Sequence, residues 1–221
     1  MIYIKLEKGK ALPEGTVQNW KGIDYKKTGG KWLKVKKGKK ASIVKSPANL
    51  IVQKGKMGSD QKMFLEDYKT SGYRALNEYL YFNKEVDPAT EKVFKYQIKK
   101  IDSAFKKGVL KEDTIVYRGI RVSNIENMDI GLIGKVLKSG GYASTSISEH
   151  MASMFTGYKD SAVLKLKAKK GMNVINMDQF EIGSSKGEGE ILFKREHKIK
   201  ITNIIKTEFK FIIEGEIYYE E

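Results

Sequence analysis

Hydrophobic residues recur every three or four positions between Asp60 and Gly108, which predicts helices in this part of the chain. One helix is predicted from Asp60, with an interruption at Gly72. A second helix is predicted to begin at Asp87 and Pro88, which suit an N-cap and a first turn. Its predicted end is Gly108, a residue typical of helix ends. The apolar faces consist of Phe64, Tyr68, Tyr73, Leu76 and Leu80 in the first helix and Phe94, Ile98, Ile101 and Phe105 in the second.

The pattern after Lys111 changes to short apolar stretches separated by turns containing Gly and Asp, which predicts β-strands. The predicted strands are 114–120, 136–137, 141–146, 163–168, 174–176, 190–194, 198–201 and 209–219. One short helix interrupts them, with Ser148 as its predicted N-cap. Helices followed by mostly antiparallel strands predict an α+β fold.

The positive charge of the chain is concentrated at its N-terminal end. Residues 1–59 contain 15 Lys and three acidic residues, for a net charge of +12, whereas the rest of the chain contributes only +3. This Lys- and Gly-rich segment has too little apolar material for an independent core, so we interpret 1–59 as a basic appendage and 60–221 as the main domain. A nucleic-acid or acidic partner of the appendage, or simple solvation of its lysines, would account for the charge.

The composition excludes several kinds of site. The chain has no Cys and only two His, so disulfides, thiolate metal sites and cysteine nucleophiles are absent and we expect no metal centre. It has no apolar run long enough for a membrane span and no apolar segment of a classical signal peptide near its start. We therefore expect a soluble protein without a membrane partner.

Three polar groups stand out because each lies in an apolar strand context: Arg118, the run Ser144–Thr145–Ser146, and the pair Glu188 and Glu190. A buried arginine needs a partner, and a bound phosphate would supply one. If Glu188 and Glu190 are both extended, their side chains lie on the same side of the strand and repel each other. Such a pair costs stability unless a hydrogen bond or a substrate engages it, which makes it a candidate site.

The order of these motifs resembles the arginine–serine–glutamate class of mono-ADP-ribosyltransferases, which includes enzyme components of clostridial binary toxins and related bacterial exoenzymes. The resemblance covers about residues 60–215 and leaves 1–59 outside. It is carried by the three motifs together with the segments YRALN at 73–77, IDSAF at 101–105, VYRGI at 116–120, ASMF at 152–155, LKL at 164–166 and KG at 170–171.

The resemblance implies a fold in which N-terminal helices pack on a mixed, mostly antiparallel two-sheet β-core, and NAD⁺ as co-substrate without a metal. Arg118 matches the family arginine that binds an NAD⁺ phosphate, and Ser144 matches the serine that positions the catalytic glutamate. Phe155 matches the aromatic residue of the nicotinamide pocket. Glu190 matches the catalytic glutamate, which stabilises the oxocarbenium-like transition state. The remaining residues that the resemblance places at the NAD⁺ site are Tyr73, Asn77, Gly119, Thr145 and Ser146.

Glu188 decides the predicted acceptor. In the family, Glu at this position accompanies arginine acceptors and Gln accompanies others, and a carboxylate can bind a guanidinium and take its proton. The resemblance therefore implies transfer of ADP-ribose from NAD⁺ to an arginine of a target protein, with Glu188, Glu190, Ser144 and Arg118 as catalytic residues. We expect this action in the cytoplasm of a host or target cell, after secretion, injection or phage delivery.

Some features depart from the family pattern. A second EGEI at 214–217 lacks a preceding Gly/Ser loop and lies far from Ser144. A loop aromatic residue found in many family members is Ser185 here, with Phe180 as a candidate substitute. Tyr158 stands where toxins often have a second phosphate-binding arginine, with Lys159 as a candidate replacement. Two other functions stay open: an NAD⁺ glycohydrolase on the same scaffold, and a non-enzymatic basic protein that binds nucleic acid or an acidic surface.

Overall fold

The computed structural model describes residues 17–20, 23–28, 31–34, 46–82, 84–121, 132–156, 161–180, 187–207 and 211–220. The chain divides into two compact units between Ile43 and Val44. This division lies earlier than the boundary that we predicted after residue 59. In the first unit, strands β1 (Val17–Trp20), β2 (Ile23–Thr28) and β3 (Lys31–Lys34) form an antiparallel sheet.

Several helices of the second unit begin where the sequence supplies caps. Asp87 accepts hydrogen bonds from the N–H groups of Ala89 and Thr90, at 3.0 and 3.1 Å, and Ser148 accepts one from Met151 at 3.3 Å, which confirms both predicted N-caps. The helices are α1 (Pro47–Leu50), α2 (Ser59–Asp67), α3 (Tyr73–Phe82), α4 (Pro88–Ala104) and α5 (Glu149–Met154). A π-helical turn at Tyr68–Gly72 joins α2 to α3, and 3₁₀ turns lie at Phe105–Lys107 and Met177–Phe180.

The strands of the second unit are β4 (Ile51–Gln53), β5 (Gly108–Leu110), β6 (Thr114–Arg121), β7 (Val136–Lys138), β8 (Ala143–Ser146), β9 (Ser161–Ala168), β10 (Val174–Asn176), β11 (Glu190–Phe193), β12 (Lys198–Lys206) and β13 (Phe211–Tyr218). Eight of them form a sheet in the order β10-β11-β8-β6-β9-β13-β12-β7. Within this sheet β9 and β13 are parallel, and the other described neighbours are antiparallel.

The eight-stranded sheet is connected only weakly between β6 and β8, and we call this connection the joint. Strands β6 and β8 meet through the pair Tyr117 and Ser146, whereas β6 pairs with β9 along its whole length. The joint separates a three-stranded part, β10-β11-β8, from a five-stranded part, β6-β9-β13-β12-β7. The predicted α+β fold, with helices on a mixed, mostly antiparallel two-sheet core, is confirmed.

Strands β4 and β5 were not predicted from the sequence, and they explain the earlier division of the chain. Ile51, Val52 and Gln53 pair with Leu110, Val109 and Gly108. This pairing ties residues that we had assigned to the appendage into the larger unit. Gly108 ends the helical segment as predicted, but it also begins β5. There its Cα approaches the backbone of β10 so closely that a Cβ would lie 2.4 Å from Val174 O.

The helices pack largely through the apolar faces that the sequence predicted. Tyr68, Leu76, Ile101 and Phe105 are buried in one cluster with Tyr142 and strand residues of β10 and β11. Leu65, which was not predicted, is buried in the same cluster, whereas the predicted Tyr73 is 38% exposed. A second cluster lies among the strands. Burial of these faces fixes the π-helical turn beside the start of β11, where the candidate site lies. Within the described ranges, no helix is both long and apolar enough to span a membrane.

Candidate active site

A cavity of about 250 Å³ brings the predicted site residues together. Its walls come from the π-helical turn and α3, strands β6 and β8, the end of α5, and the segment that enters β11. It is lined by Tyr68, Lys69, Tyr73, Asn77, Tyr117, Arg118, Gly119, Ser144, Thr145, Ser146, Ala152, Phe155, Glu188 and Glu190. Every candidate catalytic or NAD⁺-site residue from the sequence is in this set. Tyr68, Lys69, Tyr117 and Ala152 are additions.

Glu190 begins strand β11 and is held from three sides. Ser144 lies diagonally across the β8–β11 pair, and its Oγ donates a short hydrogen bond to Glu190 Oε1. The Glu190 N–H donates to Asp178 Oδ1 at 2.8 Å, and Lys69 Nζ lies 2.8 Å from Glu190 Oε2. With its side chain only 10% exposed, the carboxylate is fixed in a largely water-excluded position.

Glu188 lies in the turn that precedes strand β11, so the two acids do not belong to one extended strand. Gly187 and Gly189 have positive φ angles of 77° and 63°, which only glycine adopts without strain. Ser146 Oγ donates to the backbone oxygen of Glu188 at 2.6 Å and anchors the turn. The Glu188 carboxylate nevertheless points toward that of Glu190, because both contact Lys69, and its side chain is more exposed, at 22%.

Lys69 is the main site residue that the sequence did not reveal. Its side chain is 2% exposed, and Nζ lies 3.4 Å from Glu188 Oε2 in addition to its contact with Glu190. Burial acts to lower the pKa of Lys69, but the charges of Glu190 and Glu188 outweigh it, so the pKa is raised. Burial, reinforced by the charge of Glu190, raises the pKa of Glu188 against the opposing effect of Lys69. A lysine among many lysines carries no sequence signal of such burial.

Arg118 ties the two parts of the sheet together at the joint. Its Nη1 donates to the backbone oxygen of Ser144 at 2.9 Å. Gly119 has a packing role, since a Cβ there would lie 2.2 Å from Ala152 O at the end of α5. These contacts place the guanidinium and α5 at the cavity wall. The phosphate-binding role of Arg118 stays a prediction, as do the other roles assigned from the sequence.

The other predicted residues differ in their exposure and in the hydrogen bonds that they make within the protein. Asn77 is engaged within the protein, because its Oδ1 accepts from the Tyr142 N–H at 3.2 Å and its Nδ2 donates to Tyr68 Oη at 3.0 Å. Thr145 is buried, and its Oγ1 donates to Ile191 O at 2.7 Å. Tyr73 and Phe155 present exposed rings, with Phe155 62% exposed.

The alternative pair in the second EGEI lies outside the cavity. Glu214 is on β13, where its carboxylate contacts Lys165 Nζ at 2.8 Å and Asn203 Nδ2 at 3.1 Å. Phe180 is buried in the helix-side core, so it does not present an aromatic ring as the candidate substitute for Ser185 would require. Ser185, Tyr158 and Lys159 lie outside the described residues. In the part of the chain that the structure describes, no group of three or more His, Asp or Glu could hold a metal.

Comparison with known proteins identifies the family. Residues 47–219 match the model of the ADP-ribosyltransferase exoenzyme family. The match covers most of the chain, and the chain belongs to this family.

Individual relatives agree with this assignment. An NAD(+)–arginine ADP-ribosyltransferase of Enterococcus faecalis is 28% identical over 146 residues, which is 64% of this chain; the chain spans 28% of that protein's length. Two solved structures share the fold. The Clostridium limosum C3 exoenzyme has a TM-score of 0.62 at 23% identity, covering 74% of this chain and 87% of its own. The Vis ADP-ribosyltransferase, from Vibrio splendidus, in complex with agmatine has a TM-score of 0.59 at 22% identity, covering 78% and 79%.

Proposed function

We propose that this protein transfers ADP-ribose from NAD⁺ to an arginine side chain of a target protein and releases nicotinamide. The observation that carries the proposal is the pair of carboxylates in one cavity, with Glu190 fixed by Ser144 and Lys69, and Glu188 nearer to solvent. Two acids in different environments suit two different tasks. NAD⁺ is the co-substrate in this proposal, and no metal takes part.

The shape and chemistry of the cavity suit the nicotinamide-ribose half of NAD⁺. Its volume of about 250 Å³ is near the lower end of small-molecule sites. Exposed rings at Tyr73 and Phe155 supply apolar faces for a flat heterocycle. Arg118 offers a planar guanidinium of the kind that binds phosphate bidentately. These features support an NAD⁺ site whose phosphates lie toward Arg118.

Glu190 would stabilise the positive charge that develops on the ribose as its bond to the nicotinamide nitrogen breaks. The electron pair of that bond leaves with nicotinamide. A guanidinium nitrogen of the acceptor then forms a bond to the same ribose carbon. Glu188 would bind the incoming guanidinium and take the proton that the new bond releases, a task that its greater exposure allows.

The arginine acceptor is supported by two relatives in addition to Glu188. The Enterococcus faecalis protein is named as an NAD(+)–arginine ADP-ribosyltransferase, and the Vis enzyme was solved with agmatine, a small molecule with a guanidinium group. Both are consistent with a carboxylate that receives a guanidinium. Several structural relatives are described as toxins, which supports action on a protein in the cytoplasm of a target cell.

Residues 1–59 are assigned a separate role in this proposal. Their net charge of +12 favours contact with a polyanion, either nucleic acid or an acidic protein surface, which would bring the enzyme near its target. Binding of the chain to DNA, RNA and an acidic polypeptide at increasing salt would test this role. Salt-sensitive binding to one of the three supports it, and no binding at low salt contradicts it.

The function is tested by incubating the protein with labelled NAD⁺ and a cell lysate and mapping the modified residue by mass spectrometry. The proposal predicts label on arginine of a discrete protein. Nicotinamide release at the same rate with and without lysate, with no labelled protein, would instead indicate an NAD⁺ glycohydrolase. Neither label nor nicotinamide would leave the basic binding protein as the better description.

A further inference from the structure

One buried ammonium group bridges both acidic residues of the site. Lys69 Nζ lies 2.8 Å from Glu190 Oε2 and 3.4 Å from Glu188 Oε2, and its side chain is 2% exposed. A lysine withdrawn from water to this extent is strongly disfavoured unless opposite charges compensate it. Here two carboxylates compensate one ammonium, so the three groups form a charge cluster and not a simple ion pair.

The local backbone places Lys69 in this position. It is the second residue of the π-helical turn Tyr68–Gly72, between α2 and α3. Wide turns of this kind are rare and redirect side chains relative to a regular helix. Tyr68 is buried beside it in the helix-side core, and Thr70 Oγ1 donates to the backbone oxygens of Glu66 and Asp67, both at 3.1 Å. The turn is therefore fixed, and Lys69 points toward the acids.

The two contacts of Lys69 differ in a way that matches the tasks of the acids. The shorter contact holds Glu190, which has to stay in place throughout the reaction. The longer contact holds Glu188, whose more exposed carboxylate has to turn toward an incoming acceptor. Without an ammonium between them, two carboxylates in one site repel each other. The pKa of one of them then rises, so it binds a proton at a higher pH than an isolated carboxylate does.

Other titratable groups also face the cluster. Asp178 accepts the Glu190 N–H from the 3₁₀ turn and adds negative charge. Arg118 of β6, Tyr68 of the π-helical turn, Tyr73 of α3 and Tyr117 of β6 line the same cavity. Burial raises the pKa of Tyr68, so this phenol is neutral at physiological pH. Among the described residues that line the cavity, Lys69 and Arg118 are the cations, and Lys69 is the one in contact with both carboxylates.

We propose that Lys69 is a positioning residue that keeps Glu188 and Glu190 ionised and side by side, and thereby sets the lower pH limit of catalysis. The inference rests on the proposed function, because it takes these two acids as the groups that act on NAD⁺ and on the acceptor. Nothing in the transfer itself requires a cation at this point, since the charge that develops on the ribose is positive. Lys69 acts on the acids and not on the substrate.

The first test measures NAD⁺ hydrolysis as a function of pH in Lys69→Met and Lys69→Arg. Removing the charge in Lys69→Met should move the acidic limb of kcat/KM upward by about 1 to 3 pH units. Lys69→Arg keeps the charge and should restore most of the wild-type profile. Lys100→Met is the matched control, because it also loses a lysine paired with a carboxylate, Asp60 at 2.7 Å, but lies outside the cavity lining. Its limb should coincide with that of the wild type.

The second test needs no activity and follows thermal unfolding from pH 5 to pH 8. In Lys69→Met the buried acid pair binds a proton more readily in the folded than in the unfolded state, as the raised pKa of Glu188 already indicates. The stability that this proton binding contributes is present at low pH and is lost as the pH rises. The loss of Tm relative to the wild type should therefore be small near pH 5 and large near pH 8. Lys100→Met should show a nearly constant difference.

The outcomes separate the two proposals. If the wild type releases no nicotinamide at any pH, the proposed function fails, and the unfolding series still tests the charge cluster. If the wild type is active but Lys69→Met keeps the wild-type acidic limb and a pH-independent loss of Tm, the inference about Lys69 is wrong. A Lys69→Met protein that folds only at low pH gives the unfolding result in its extreme form and supports the inference.

Discussion

Contacts within the protein orient the carboxylate of Glu190. The Ser144 hydroxyl, the Lys69 ammonium and the β8–β11 register fix its carboxylate in a largely buried position. A group oriented in advance does not have to reorganise as charge develops in the transition state, and this accounts for much of electrostatic catalysis. The arrangement therefore suits the catalytic role that we propose for Glu190.

Replacing Glu190 should abolish activity and preserve the fold. Glu190→Gln keeps the shape and loses the charge, so both ADP-ribose transfer and NAD⁺ hydrolysis should fall by about 100-fold or more. Nicotinamide release and thermal unfolding measure the two effects. Glu216→Gln, in the second EGEI, is the matched control and should stay active. An active Glu190→Gln together with an inactive Glu216→Gln would show that the second EGEI, and not Glu188 and Glu190, carries the site.

Arg118 should be sensitive to a change that keeps its charge. Arg118→Lys loses the planar fork that binds phosphate through two parallel hydrogen bonds. We expect NAD⁺ affinity to fall by about tenfold, equivalent to about 1.4 kcal/mol, while the protein stays folded. Titration with NAD⁺, monitored by calorimetry, measures the affinity. An unchanged dissociation constant would exclude the phosphate-binding role.

Individual site residues could be predicted only where they belong to an ordered motif. Arg118, Ser144 and Glu190 stand out because each is polar in an apolar strand and the three follow in a fixed order. Lys69 could not be predicted, because its burial depends on the π-helical turn and on packing around Tyr68. Contacts between residues more than a hundred positions apart leave no trace in local composition.

At the scale of elements, the site depends on close approach of α5 to β6. The backbone of Gly119 lies so near the end of α5 that a Cβ would be 2.2 Å from Ala152 O and 3.0 Å from Thr156 Cγ2. This approach brings Phe155 to the cavity wall, because Phe155 follows α5 directly. The glycine therefore sets the width of the site without contacting a substrate through a side chain.

A methyl group at this position should destabilise the protein. Gly119→Ala forces α5 away from β6, and we expect a loss of about 1–3 kcal/mol in the free energy of unfolding together with weaker NAD⁺ binding. Urea denaturation measures the loss. Gly55→Ala is the matched control, since its Cβ would meet Lys107 side-chain atoms at ordinary distances of 3.5 and 3.6 Å. Equal stability of the two variants would show that the contact at Gly119 relaxes without cost.

Helix ends and long strands could be predicted better than short pairings. Asp87 and Ser148 are local caps, so their positions follow from the sequence. Strands β4 and β5 have three residues each and pair across more than 50 positions, which no periodicity reveals. The sequence left open whether Glu188 is extended together with Glu190, and the positive φ angles of the flanking glycines make a turn there. Glycine permits both conformations, and only tertiary contacts decide between them.

At the scale of the whole molecule, a buried histidine should make stability depend on pH. His197 is buried next to Lys194, with Nδ1 donating to its backbone oxygen at 3.0 Å, and burial lowers the pKa of His197 to about 4. The unfolded chain binds the proton near pH 6.5, so stability is lost as the pH falls from about 6.5 to 4, by about 3 kcal/mol in all. Urea denaturation across this range measures the slope.

A variant without a titrating ring isolates this contribution. His197→Asn keeps an N–H that can donate to Lys194 O, but it cannot take up a proton. Its free energy of unfolding should change less between pH 6.5 and pH 4 than that of the wild type. A slope equal to that of the wild type would show that other groups, and not His197, are responsible for the acid sensitivity.

The proposed reaction runs from NAD⁺ to an arginine acceptor. It is tested most directly by quantifying nicotinamide and ADP-ribosylated agmatine in the same reaction mixture, for the wild type and for Glu188→Gln. The wild type should form both products. Glu188→Gln should retain appreciable nicotinamide release, because Glu190 still stabilises the developing charge, but should form little modified agmatine, because no carboxylate receives the guanidinium proton. A parallel fall of both products in Glu188→Gln would contradict the account, since Glu188 would then belong to the NAD⁺ site.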